Sequence, residues 1–216
     1  MKATLQKSKD FTEEYCCSVV RVGALEDVPN SDNLKRTRIN GESIVVNKQD
    51  VHEGDVMLYV SNECQISGWF LMANNMYRHY TNNFNRDVVE ERLNQDPDFL
   101  KTNEGKKMVG YFEDTGRVRM IKLRGCPSFG LLFKPDTMMT ALATAHKGEA
   151  TILPSIDWAS LVGTDFDTID NLLFVKAYIP RRAPQRQPHG MKGTARWDRL
   201  DRMVPGQFKL HYDTIS

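Results

Sequence analysis

Residues 110–133 read GYFEDTGRVRMIKLRGCPSFGLLF, and the fold of the chain is decided by this stretch. Between Arg117 and Arg124, apolar and basic residues alternate with a period near two, which predicts a half-buried strand with a basic outer face. Gly125 begins a turn, and residues 129–133 form a second apolar strand that can return against the first. The pattern predicts a hairpin that carries four cations, which are Arg117, Arg119, Lys122 and Arg124.

Basic residues are also concentrated near the C-terminus. Residues 176–209 contain nine Lys or Arg and two Asp, a net charge of +7, although the whole chain carries only +1. Such a local excess is typical of a surface that meets phosphates. Five of these cations lie in or just after residues 180–193, whose Pro and Gly content is that of a linker: Arg181, Arg182, Arg186, Lys192 and Arg196.

Two interpretations of all these cations stay open. Their charged ends can follow the phosphates of a nucleic acid. In the hairpin, however, the aliphatic stems of Arg and Lys can also simply cover apolar surface on a solvated strand. In the C-terminal stretch, the alternative is a flexible, solvated linker.

The composition is that of an ordinary globular protein. With 216 residues the chain is long enough for one large domain, or for a domain and part of a second. It has no apolar run of about 18 residues and no signal peptide at its N-terminus, so we expect a cytoplasmic protein without a membrane partner. The four cysteines show no CxxC spacing and no clustered His, which predicts buried free thiols and no metal site.

The N-terminal part predicts short strands joined by tight turns. Residues 15–25 and 56–60 are apolar strands, and residues 34–39 and 44–46 flank the hairpin signal Asn40-Gly41. This spacing favours a small antiparallel barrel. A helix that lies between the third and fourth strands is a feature of the OB-fold, and residues 86–93 predict one, with its inward side chains at Val88, Val89 and Leu93.

Residues 74–85 mix aromatic side chains with several Asn. Aromatic rings beside amides are suited to stacking on bases, but they can equally fix a long loop to the barrel, and both interpretations stay open. The residues concerned are Tyr77, His79, Tyr80 and Phe84.

Beyond residue 134 the periodicity changes. Residues 137–146 and 156–162 predict short helices, and residues 172–179 predict an apolar strand. Residues 207–214 alternate like a strand with one apolar face, and the sequence stops two residues later. We therefore expect a second domain that is cut short.

Motifs for nucleotide chemistry are absent from this sequence. It has no GxxxxGK[ST], no GxGxxG after a strand, no HExxH and no GxSxG. Lys107 and Gly110 fit a loose lysine–x–x–glycine pattern, but Val109 stands where nucleophilic lysine motifs usually carry a polar residue. The sequence therefore predicts no catalytic residue in this chain.

Three segments together resemble a known family. Residues 15–34 (YCCSVVRVGALEDVPNSDNL), 39–60 (INGESIVVNKQDVHEGDVMLYV) and 110–133 look like the N-terminal OB module of phage-type ATP-dependent RNA ligases, which are covalent nucleotidyltransferases. The resemblance spans roughly residues 10–135. Residues 208–214 (FKLHYDT) resemble the segment that precedes the nucleophilic lysine of these ligases, and that lysine would lie beyond Ser216.

The resemblance implies a reaction and its cofactors. In this family the lysine attacks the α-phosphate of ATP, AMP passes to an RNA 5′-phosphate, and the neighbouring 3′-hydroxyl displaces AMP to seal the strand. Metal ions stabilise the charge that develops on phosphorus. ATP and Mg²⁺ are thus implied for a full ligase, whereas no cofactor is expected in this chain itself.

We therefore expect a mainly β chain with helices, in which residues 1–135 form a five-stranded OB-type barrel and residues 136–216 begin an α+β nucleotidyltransferase domain. Its expected role is to hold RNA for a ligase that repairs RNA. The RNA contacts are expected from the four cations of the hairpin and from the five cations named at residues 181–196. The rest of the nucleotidyltransferase domain would be its partner in cis, and a bacteriophage source would place it in the host cytoplasm. The alternatives are a stand-alone single-strand RNA-binding protein and a protein-interaction module.

Overall fold

The computed structural model describes residues 4–146 and 156–180, and residues up to Tyr178 belong to one compact unit. Within these ranges the strands are short. They are β1 (Leu5–Gln6), β2 (Cys17–Arg21), β3 (Glu26–Asp27), β4 (Leu34–Ile39), β5 (Glu42–Asn47), β6 (Val56–Val60), β7 (Cys64–Ile66), β8 (Ile121–Leu123), β9 (Cys126–Ser128), β10 (Leu131–Phe133), β11 (Asp165–Phe166), β12 (Thr168–Ile169), β13 (Leu172–Leu173) and β14 (Val175–Ala177). The α-helices are α1 (Gly68–Ala73), α2 (Arg86–Gln95), α3 (Asn103–Lys107) and α4 (Pro135–Ala145).

The larger core lies against a four-stranded antiparallel sheet with the order β10-β6-β2-β11. β2 and β6 pair over five residues, from Cys17 opposite Val60 to Arg21 opposite Val56. Their apolar side chains pack with α1 and α4. Three rings meet in this core, since Phe174 lies 4.8 Å from Phe70 and 6.0 Å from Phe133 between ring centroids.

A second, smaller core lies between β6 and the three-stranded sheet β3-β4-β5. β4 and β5 form the hairpin that the sequence predicts, and the turn residues Asn40 and Gly41 have φ of 51° and 85°. Positive φ at both central positions is the geometry of a type I′ turn, which Asn-Gly adopts readily. Alternation along β4 buries Thr37 and Ile39 and leaves Arg38 exposed.

The described sheets are open, so the predicted closed five-stranded barrel is wrong for this part of the chain, while the coarser prediction of a mainly β fold with helices is confirmed. β9 contacts the edge of β5 without joining its sheet. The Ser43 hydroxyl donates to the Pro127 carbonyl over 3.1 Å, and the amide of Val45 donates to the Ser128 hydroxyl over 3.0 Å.

The predicted basic hairpin is also corrected. The strand that pairs with β8 is β9, and the turn between them is Arg124-Gly125, not residues 125–128. The apolar strand β10 pairs with β6 instead of returning against β8. Two residues suffice for a type I′ turn, so the hairpin is shorter than the alternation of the sequence suggested.

The predicted helices are found with small shifts. α2 matches its predicted position, but only Val89 is buried, and Val88 is 50% exposed. α4 begins at Pro135, because proline has no N–H to lose at the first helical position. The segment predicted as a second helix is a short 3-10 helix, Trp158–Leu161, and the predicted apolar strand is split into β13 and β14 at the buried Phe174.

Residues on both sides of position 135 share sheets, because β11 pairs with β2 and β14 pairs with β7. The expected division of the whole chain at residue 135 stays a prediction. The strand predicted at residues 207–214 and the linker at 181–193 lie outside the described residues.

The four cysteines carry free thiols, three of them buried, as the sequence predicts. Burial raises the pKa of Cys16 to about 11 and that of Cys64 to about 12. These thiols are therefore neutral near pH 7 and belong to the core.

Candidate nucleic-acid interface

The β8–β9 hairpin is fixed beside the β4–β5 hairpin. Besides the two serine hydrogen bonds, the amide of Phe129 donates to the Ser43 carbonyl over 2.8 Å. β9 pairs in turn with β8, with Pro127 opposite Lys122. The two hairpins therefore lie side by side and present one continuous surface.

The four predicted hairpin cations fall into two groups that differ in their contacts. Arg117 forms an ion pair with Glu63 at 2.5 Å and stacks on the ring of Tyr178, 4.7 Å from its centroid. Arg119 forms an ion pair with Glu113 at 3.0 Å. The charge of both arginines is therefore balanced by a neighbouring carboxylate, and their contribution to RNA binding stays a prediction.

Lys122 and Arg124 differ from these two arginines in exposure and in ion pairing. Both are exposed, and neither forms an ion pair with another residue in the described ranges. Arg124 has a φ of 50°, a left-handed conformation that side chains rarely adopt. At the equivalent position of the β4–β5 turn stands Asn40, which suits a positive φ far better. Arg124 therefore occupies a turn position that Asn or Gly adopts more readily.

A further cation, Arg38, was missed in the sequence interpretation. It is exposed on β4 and makes no ion pair with a described residue, whereas its neighbours Lys35 and Arg36 pair with Asp27 and Glu26. The alternation of Arg36 and Arg38 with the buried Thr37 and Ile39 is the signal that could have revealed it.

The paired cations of β4 change the pKa values of their partners. A hydrogen bond from Arg36 lowers the pKa of Glu26, and a hydrogen bond from Lys35 lowers the pKa of Asp27. Both carboxylates are therefore ionised at neutral pH and cancel the charge of these two cations.

Arg38 and Lys122 are connected across neighbouring strands, Arg124 stands in the turn two residues after Lys122, and we call these three residues the basic row. Arg38 lies opposite Ser43, Ser43 is bonded to Pro127, and Pro127 lies opposite Lys122. Three steps between neighbouring strands place the backbones of Arg38 and Lys122 about 15 Å apart. A few nucleotides of a single strand can span such a distance.

The remaining cations of the predicted RNA-binding set cannot be added to this row. Arg181, Arg182, Arg186, Lys192 and Arg196 lie outside the described residues. Their contribution to RNA binding stays a prediction.

The described part of the chain offers no cluster of metal ligands. No group of three or more His, Cys, Asp or Glu that could hold a metal ion occurs in residues 4–146 and 156–180. Gly110 of the loose lysine–x–x–glycine pattern has a packing role, because a Cβ there would lie 2.0 Å from the Met76 carbonyl oxygen. We therefore derive no catalytic step for these residues.

No helix in the described ranges is both long enough and apolar enough to cross a bilayer.

Comparisons with known proteins give structural likeness only. Neither the protein-family profiles nor the curated proteins contain a match to the chain. Among solved structures, the chain is similar to Naegleria gruberi RNA ligase with PPi over 80% of its length, with a TM-score of 0.37 and 14% identity. It is also similar to a mutant of that ligase with ATP and Mn over 67% of its length, with a TM-score of 0.32 and 15% identity.

A third similar structure is a mutant of the same ligase solved apo, which matches over 76% of this chain with a TM-score of 0.35 and 15% identity. The chain covers 37%, 33% and 35% of these three structures, so it spans about a third of their length. At this level of similarity the comparison does not assign a family, and no function is inferred from it.

Proposed function

We propose that this chain is the RNA-engaging part of an ATP-dependent RNA ligase, which joins RNA 3′-hydroxyl and 5′-phosphate ends in RNA repair. The observation that carries the proposal is the basic row, in which three exposed cations on two joined hairpins lack carboxylate partners among the described residues. The sequence resemblance of residues 10–135 to RNA ligases supports RNA as the polyanion. ATP and Mg²⁺ would act with residues outside the described part of the chain.

The energetic basis of the proposal is counterion release. Each cation that meets a phosphate of a single strand changes the logarithm of the binding constant by about −0.7 per unit of log salt concentration. Only cations without a protein partner contribute fully, because a paired arginine must first leave its carboxylate. Lys122 and Arg124 should therefore contribute more than Arg117 and Arg119.

The test is RNA binding by the full chain, measured as fluorescence anisotropy of a labelled single-stranded RNA. The double variant Lys122→Ala/Arg124→Ala should bind about 25-fold more weakly at about 0.1 M salt, and the salt slope should become shallower by about 1.4. The control Lys106→Ala/Lys107→Ala removes the same charge from the exposed end of α3. An equal loss in both double variants would show that only net charge matters and would refute the proposed surface.

A second experiment separates a ligase from a stand-alone RNA-binding protein. Incubation of the natural-length protein with labelled ATP should give a covalent lysyl–AMP adduct if the chain belongs to a ligase. RNA binding that depends on the basic row, without any adduct, would support the stand-alone protein instead.

A further inference from the structure

An exposed aromatic ring lies in the segment that leads to the β8–β9 hairpin. Tyr111 is 55% exposed, although its neighbour Phe112 is buried in the larger core. The two rings are stacked, with 4.7 Å between their centroids and 28° between their planes. Aromatic pairs favour such an offset stack. Phe112 therefore covers one face of the Tyr111 ring, and the exposed surface belongs to the opposite face and to the edges.

The backbone on both sides of Tyr111 is fixed. The Gly110 amide donates to the Tyr77 carbonyl over 3.0 Å, and the Phe112 amide donates to the Met76 carbonyl over 3.0 Å. Gly110 also packs against Met76 so closely that no side chain would fit there. The ring is therefore held in one place before a ligand binds, and a preorganised contact of this kind costs little conformational entropy on binding.

The loop against which this segment packs is itself held by an amide side chain. Asn83 is buried, and its side chain accepts from the Tyr77 amide over 3.0 Å and donates to the Tyr77 carbonyl over 2.8 Å. Tyr77 in turn lies opposite Phe112 in a β-bridge. Asn83 thus follows the loop-fixing interpretation of residues 74–85, and the fixed loop supports the segment that carries Tyr111.

The Tyr111 ring offers an uncharged surface. Burial of the hydroxyl raises the pKa of Tyr111 to about 12, so the phenol is neutral near pH 7. A sheltered hydroxyl on a residue that is 55% exposed means that the accessible part of the side chain is mainly the ring. A flat, neutral surface of this kind suits a flat, neutral ligand group, and a nucleobase is such a group.

We propose that Tyr111 is a base-stacking site, in which an unpaired base of an RNA strand lies on the open face of the ring and extends the stack that Phe112 begins. Stacking on an aromatic side chain is the way single-strand binders hold bases, and it tolerates all four bases because each has a π face. This inference rests on the proposed RNA-binding function and adds a base contact to its phosphate contacts.

Tyr111 is connected to the basic row through one ion pair. Glu113, two residues after Tyr111, pairs with Arg119, which lies three residues before Lys122. Backbone segments of two and three residues span at most about 7 Å and about 11 Å. Single-strand binding surfaces usually hold about 4–16 nucleotides, so one strand can reach both Lys122 and Tyr111.

The first test is a set of substitutions in the full chain, with binding of a labelled adenosine hexamer measured by fluorescence anisotropy. Tyr111→Leu removes the π face but keeps an apolar side chain. Its affinity should fall by at least about 5-fold, since loss of a stacking ring typically has this effect or more. Tyr111→Phe keeps the ring and should bind within about 2-fold of the wild type.

The control for loss of exposed apolar surface is Val162→Ala, because Val162 is 38% exposed and lies in a different segment. Its affinity should stay unchanged. No loss in Tyr111→Leu, or an equal loss in Tyr111→Phe or in Val162→Ala, would overturn the proposal.

The second test separates stacking from contact with the RNA backbone. A hexamer of abasic nucleotides carries the same phosphates without bases, so it should bind the wild type and Tyr111→Leu equally. Lys122→Ala/Arg124→Ala should weaken binding of both hexamers, because its effect depends on phosphates. A loss in Tyr111→Leu that persists with the abasic hexamer would refute stacking.

The third test uses the wild-type chain, so it does not depend on the folding of a variant. A hexamer with one 5-iodouridine at varied positions is irradiated in the complex, and the photo-crosslinked peptide is identified by mass spectrometry. A crosslink at Tyr111 is expected for at least one position of the iodouridine. Crosslinks at other residues alone would overturn the assignment of Tyr111.

Adenosine 5′-monophosphate separates the two sources of a base. If Tyr111 serves an RNA strand, the mononucleotide should compete far more weakly than the hexamer. If it binds as tightly as the hexamer and depends on Tyr111, the site belongs to a free nucleotide and the RNA assignment is refuted.

Salt dependence distinguishes this inference from the proposed function. Stacking involves no counterion release, so the loss in Tyr111→Leu should be equal at about 50 mM and about 300 mM salt. Loss of affinity in Lys122→Ala/Arg124→Ala with no effect of Tyr111→Leu would refute the stacking site alone. The reverse result would refute the basic row and leave Tyr111 as an RNA contact.

Discussion

The two neighbouring hairpins use the same turn geometry with different chemistry. Asn40-Gly41 has φ values of 51° and 85°, and Arg124-Gly125 has values of 50° and 84°. In the first hairpin the turn residue suits its conformation, and two of the strand cations are paired with carboxylates of β3. In the second, an arginine occupies the unfavourable position and stays unpaired among the described residues. The cations of β4 are therefore mostly balanced by carboxylates, with Arg38 as the exception, whereas the turn of the second hairpin keeps an unpaired charge that the proposed RNA contact would use.

The largest expected effect is a loss of stability at Gly130, the glycine between β9 and β10. Gly130 has a φ of +86°, and a Cβ there would lie 2.5 Å from the Val60 carbonyl oxygen. Gly130→Ala should lower the free energy of unfolding by about 3 kcal/mol or more, because backbone strain and a clash add. Gly41→Ala in the first hairpin has a similar φ of +85° but open space, so about 1 kcal/mol is expected. Urea unfolding measures both, and equal losses would contradict this difference in packing.

Arg117 tests the division between paired and unpaired cations. Arg117→Ala removes the ion pair to Glu63 and the contact with Tyr178, so the free energy of unfolding should fall by about 1–2 kcal/mol. RNA affinity should change by less than about 2-fold, since a neutralised cation releases few counterions. Thermal unfolding and anisotropy report the two effects. A large loss of RNA affinity in a stable variant would place Arg117 in the RNA-binding surface.

Arg124→Asn sharpens the comparison, because it gives the second turn the residue of the first. Asn tolerates a positive φ, so the variant should gain about 0.5–1 kcal/mol in stability. It should also lose about 5-fold in RNA affinity at about 0.1 M salt, since one phosphate contact is removed. Opposite changes in stability and affinity are the expected signature. A variant that gains stability and keeps its affinity would show that Arg124 does not touch RNA.

The smallest expected effect concerns pH and the paired cations of β4. The pKa values of Glu26 and Asp27 are lowered in the folded state, so their pairs stabilise the protein at neutral pH, and this stabilisation is lost as the pH falls through the lowered pKa values. The melting temperature of Arg36→Gln should therefore lie slightly below that of the wild type at neutral pH and approach it below about pH 4. Lys122→Gln, which removes a cation that lowers the pKa of neither carboxylate, should show no such convergence.

Local patterns in the sequence predicted the strands of this fold well. β4, β5 and β6 follow from alternation and from the Asn40-Gly41 turn, because these signals act between neighbouring residues. The contact between β5 and β9 was not predictable in this way, since it involves the hydroxyls of Ser43 and Ser128, which lie 85 positions apart. Long-range contacts of single side chains leave no periodic signal.

The candidate site was predicted only in part for the same reason. The sequence shows Arg117, Arg119, Lys122 and Arg124 as equivalent members of one pattern. Their carboxylate partners, such as Glu63, come from distant positions, so the fold alone separates structural arginines from exposed ones.

The pairing of β11 with β2 has a consequence for synthesis of the protein. Asp165 and Phe166 lie opposite Ser18 and Cys17, so one edge of the central sheet receives its last strand only after most of the chain has left the ribosome. Until then the backbone groups of β2 on that side have no strand partner, and contacts of such large sequence separation form slowly. Nascent chains should therefore be prone to edge-to-edge association, and chaperone binding during translation would protect them.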